Sequence, residues 1–86
     1  MANIDEIRAG IGRANQQATE SLGALRHARQ AIEEAAAAFS QNIYGTAQND
    51  ADDARGRFAA ASEKIDEVEQ MLHVAMQSAD DVAARL

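Results

Sequence analysis

The strongest constraint on this chain is an apolar heptad that runs almost end to end and breaks once, at the centre. Ile4, Ile11, Ala18, Leu25, Ile32 and Phe39 recur at seven-residue spacing, with Ile7, Ala14, Ser21, Ala28 and Ala35 three positions on. A second run comes after the break: Ala51, Phe58, Ile65, Leu72, Ala79 and Leu86, with companions Ala54, Ala61, Val68, Ala75 and Val82. A 3.5-residue period held for five heptads predicts a helical seam packed against another helix. Proline never occurs, and alanine, the best helix former, supplies 21 of the 86 residues.

The break lies at Asn42-Ile43-Tyr44-Gly45-Thr46-Ala47-Gln48-Asn49-Asp50. Gly45 suits a helix-closing left-handed position, and Thr46 or Asn49 suits the cap of a second helix. Asp50, Asp52 and Asp53 place negative charge on the positive end of that helix's dipole, as Asp5 and Glu6 do for the first. The expected layout is one domain, residues 1–86, with a first helix over about 3–42, a turn over 43–49 and a second helix over about 50–86. The turn centres on Ile43, Tyr44 and Gly45. The expected fold is all-α, an antiparallel two-helix coiled-coil hairpin that pairs with another into a four-helix bundle. Folding at Gly45 puts Ile4 opposite Leu86, Leu25 opposite Ile65, Ile32 opposite Phe58 and Phe39 opposite Ala51. The companion layers (Ala14 with Ala75, Ala28 with Ala61, Ala35 with Ala54) are then alanine on alanine, which favours close helix approach.

Composition narrows the function classes. Cysteine and tryptophan are absent and the aromatics are Phe39, Tyr44 and Phe58, so a disulfide framework, a thiolate metal site and an aromatic-centred enzyme core are not expected. A net charge of −6 opposes binding to nucleic acid or to an anionic membrane surface. The opening Met1-Ala-Asn-Ile-Asp-Glu-Ile-Arg8 is charged and amphipathic, so no cleavable signal peptide is expected. The address is then the cytoplasm, or export without a removable leader.

No residue set suggests chemistry. His27 and His73, the only histidines, are out of step across the hairpin and lack the Glu-x-x-His spacing of helical metal sites. Asp50-Ala-Asp52-Asp53 lacks the glycine and distal glutamate of a calcium loop. Serines 21, 40, 62 and 78 have no activating histidine or lysine nearby. Gly10, Gly12, Gly23 and Gly56 are scattered in helical pattern, where they mark either close helix approach or an exposed face. No catalytic, cofactor or metal site is expected. In this register Leu22, Leu72 and Met76, with Ile43 at the tip, form an apolar flank the hairpin does not cover, and these four are the expected partner-binding residues. Met71 falls on the opposite flank, near Ala24, Ala31 and Ala38.

The chain resembles the WXG100 (ESAT-6-like) superfamily of small helical hairpins in length, in its acidic, alanine- and glutamine-rich composition, in lacking cysteine and in two equal helices about a turn. The family's Trp-x-Gly turn falls on Ile43-Tyr44-Gly45, with isoleucine for tryptophan. The family's C-terminal Tyr-x-x-x-Asp/Glu signal has no counterpart, Tyr44 being the last tyrosine. The resemblance implies a dimeric hairpin, paired with itself or a homologous hairpin, that acts as export companion or effector partner. The alternatives are a cytoplasmic structural or regulatory coiled-coil subunit and, last, a small-ligand binder between hairpins.

Overall fold

The computed structural model of the protein describes residues 3–43 and 48–86. Tyr44, Gly45 and Thr46, central to the expected turn, lie outside the described residues. Helix α1 spans Ile4–Asn42 and helix α2 spans Gln48–Arg85. Asn3 caps α1 from an extended conformation, and its Oδ1 accepts a 2.8 Å hydrogen bond from the Glu6 amide. Helix α2 starts two residues before the expected Asp50, so Asn49 lies within the helix rather than capping it.

The helices fold back on each other as an antiparallel hairpin 66 Å long and 17 by 16 Å across. Three cross-helix hydrogen bonds define the direction: Asn15 to Asp80, Arg29 to Asp66, and Arg55 to Ser40. As α1 advances, its partner on α2 recedes. The expected register set Ala75, Ala61 and Asp50 opposite these α1 positions, so each observed partner lies five residues further along. Side-chain reach accounts for part of that, leaving a displacement of about one helical turn. Phe39 correspondingly meets Phe58, ring centroids 5.9 Å apart and tilted at 49°, instead of Ala51.

The seam corrects one half of the expected pattern. Ile11, Ala18, Leu25, Ile32 and Phe39 face α2 as expected, and so do Ala51, Phe58, Ile65, Leu72 and Ala79, whereas Ile4 and Leu86, expected to pair at the open end, are exposed. Their companions, however, lie four positions on and not three. On α1 these are Asn15, Leu22, Arg29, Ala36 and Ile43; on α2 they are Arg55, Ser62, Glu69, Met76 and Ala83. The row three positions on is mostly exposed, including Ile7, Ala14, Ser21, Ala35, Val68, Ala75 and Val82, while Ala28, Ala54 and Ala61 sit half-buried at its edge.

Side-chain size explains the rotation. The row four positions on brings Leu22, Ile43 and Met76 inside, whereas the row three positions on offers mainly alanine and a serine along most of α1. Burying a leucine or methionine stabilises by about 1.5–3 kcal/mol, well beyond what an alanine supplies. The polar residues carried in with this row are paired. Asn15 donates to Asp80 at 2.7 Å and to the Met76 carbonyl at 3.4 Å. Arg29 donates to Asp66 at 2.6 Å and to Glu69 at 3.2 Å. Among the described residues no buried side-chain polar atom lacks a partner.

Candidate interaction surface

The expected partner-binding residues do not form an open flank. Leu22 is 5 % exposed, one of only two buried residues among those described, and Leu72, Met76 and Ile43 are half-buried in the same seam. The error comes directly from the seam rotation: a flank beside the expected companion row is the interior of the observed one.

Antiparallel pairing gives the hairpin two unlike flanks. On one, the seam residues Asn15, Arg29, Arg55 and Glu69 border Asp66, Asp80 and Ser40. Every cross-helix hydrogen bond among the described residues lies here. The Asp66 hydrogen bond, followed by the Glu69 charge, raises the Arg29 pKa above its ordinary value. Glu69 is the more enclosed partner, its side chain 14 % exposed against 31 % for Arg29.

The opposite flank has no cross-helix polar contact among the described residues and is mainly apolar, interrupted by Gln17 and Ser21 on α1 and by Arg57, Lys64 and Ser78 on α2. On α1 it carries Ile7 and then an alanine row, Ala24, Ala28, Ala31, Ala35 and Ala38, spaced three and four apart. On α2 it carries Val68, Met71 and Ala75 at the same spacing and Val82 beyond Ser78, with Met71 69 % exposed. Val74 extends the patch outward. Nearer the turn, Ala54, Arg57 and Phe58 line an open hollow of about 380 Å³. Half of these exposed residues (Ile7, Ala35, Val68, Ala75 and Val82) belong to the row expected to be the seam, so the chain encodes two apolar stripes and the hairpin uses one. Heptad spacing finds the second stripe but assigns it to the interior. Met71, expected apart from the seam, is open in the structure.

The other candidates stay on the surface. His27 and His73 are exposed or nearly so, and no group of three acidic, histidine or cysteine residues among those described could hold a metal ion. Asp52 and Asp53 are held within their own helix by Arg55 and Arg57. A methyl group added at Gly12, Gly23 or Gly56 would meet open space, and at Gly10 only the tip of Arg13, so none marks close helix approach. No described helix is long and apolar enough to cross a membrane. No protein-family model matches the chain, and no curated protein or solved structure matches it either.

Proposed function

We propose that the chain is a non-catalytic protein–protein interaction module of WXG100-like type, a hairpin that completes its core against another helical hairpin. The observation that carries this reading is the thinness of the core. Among the described residues only Leu22 and Ala51 are buried, while Leu25, Ile32, Phe39, Phe58, Ile65 and Leu72 remain partly open. Helices this long draw most of their stability from packing an apolar face. Two helices supply one side of that packing, and the exposed apolar flank lies where the other side would form. Export companion or effector partner is the role that the family resemblance adds.

Sedimentation equilibrium of the wild type and of Met71→Glu tests the reading. The expected result is a mass rising with concentration from 9.2 kDa toward twice that value for the wild type, and markedly weaker association for the variant. A wild type that stays monomeric at high concentration and takes up no homologous hairpin would remove it.

A further inference from the structure

We infer that the hairpin is a two-position device: its seam can pass through either companion row, and the pairing of Arg29 with Asp66 and Glu69 is the lock that holds the observed position. This stands on the packing of one chain and is independent of the interaction-module reading. Both positions share the row from Ile11 to Phe39 and the row from Ala51 to Ala79. They differ only in which neighbouring row completes the seam. At 3.6 residues per turn, the centre of a seam moves by about 50° when its companion changes from four positions on to three. Each helix turns by that angle about its own axis, with neither helix broken nor reversed.

The observed row has the larger apolar side chains, Leu22, Ile43 and Met76, but it also carries five polar residues into the seam. The other row offers Ile7, Val68, Val82 and six alanines, and it has no ionisable side chain. The advantage in size is therefore offset by desolvation of the polar residues, and it is recovered only where they are paired. The densest pairing is at Arg29, which donates to Asp66 at 2.6 Å and to Glu69 at 3.2 and 3.3 Å. Taking the charge off both carboxylates leaves a guanidinium uncompensated in the seam. Rotation returns it to water and closes the seam over the uncharged row. Little has to be undone on the way. Only Leu22 and Ala51 are buried among the described residues, and Ala28, Ala54 and Ala61 already sit half-buried at the edge of the unused row. Leu22, Ile43 and Met76 then turn outward as Val68 and Val82 turn in, so the hairpin exchanges one apolar face for another. Two discrete packings of one sequence, close in energy, are the physical basis of such a switch.

Thiol labelling separates the two positions, because the chain has no native cysteine. Ala36 is half-buried on the observed companion row and Ala75 is exposed on the unused one. Ala36→Cys and Ala75→Cys, each as the single cysteine of the full chain, are alkylated in dilute protein in three backgrounds. These are the wild type, Asp66→Asn with Glu69→Gln, and Arg29→Leu with Glu69→Leu. In the wild-type background the thiol at position 75 should react several-fold faster than the thiol at position 36. Neutralising the two carboxylates should reverse that order. The leucine pair makes the observed row more apolar and should keep the wild-type order. An unreversed order in the carboxylate variant would overturn the inference. Loss of its helical circular dichroism would do the same, since the second position would then be too weak to hold the chain. Reversal in the leucine pair would show that the paired charges are not the lock, and would overturn it equally.

Discussion

Leu22 is the residue on which the observed seam most depends, and Leu22→Ala measures it. The substitution removes three carbons from a site 5 % exposed. At about 0.8 kcal/mol per buried methylene the transfer contribution is near 2.4 kcal/mol. A cavity contribution is added in thick cores, but Leu22 lies between two helices that can close up, so the total belongs near the lower end of the usual range, about 2–3 kcal/mol. Urea denaturation followed by far-ultraviolet circular dichroism gives the loss, measured at two protein concentrations so that association is separated from folding. Val74→Ala is the control. Val74 is 66 % exposed, and the change there should stay within about 0.5 kcal/mol, on the stabilising side because alanine is the better helix former. Equal losses for the two variants would refute a seam with Leu22 inside, since packing through the alanine row leaves Leu22 as open as Val74.

The remaining expectations are independent of that one. Arg29→Ala strands Glu69 in the seam and should lower the thermal midpoint, while Arg29→Leu combined with Glu69→Leu should recover it or exceed the wild type, because an apolar layer replaces a paired one without loss. A double variant that melts below Arg29→Ala would show that the ion pair itself holds the layer together. Gly23→Ala and Gly56→Ala add a methyl group into open space and should each stabilise by about 0.5–1 kcal/mol in the same denaturation assay. Asn3→Ala removes the cap to the Glu6 amide and should cost about 1 kcal/mol, with faster amide exchange confined to the first turn of α1.

The two helices and their single central break are legible in the sequence because the signals are redundant: no proline, abundant alanine, five heptads in each half, and acid at both helix starts. The seam is legible by half. The row from Ile11 to Phe39 is apolar at every position and faces inward as expected. Its companion is ambiguous because alanine satisfies an apolar pattern whether it is buried or not, so Ala14, Ala28 and Ala35 look like core. The true companion row contains Asn15 and Arg29 on α1 and Arg55 and Glu69 on α2, and polar residues at that spacing look like surface. Their pairing is recognisable only across the fold, since Arg29 meets Asp66 and Glu69 from the other helix. The exposed apolar flank is misplaced in the sequence pattern for the same reason and by the same rotation.

The two methionines of α2 report on both faces at once, and their oxidation by dilute peroxide, resolved by peptide mass mapping across a range of protein concentrations, is the most direct measurement. Met71 stands 69 % exposed on the apolar flank and Met76 lies half-buried in the seam. In dilute protein Met71 should oxidise several-fold faster than Met76. As concentration rises Met71 should slow toward the Met76 rate, while Met76 itself stays unchanged. A Met71 rate that is independent of concentration would contradict the interaction surface, and a Met76 that reacts as fast as Met71 in dilute protein would contradict the seam beneath it.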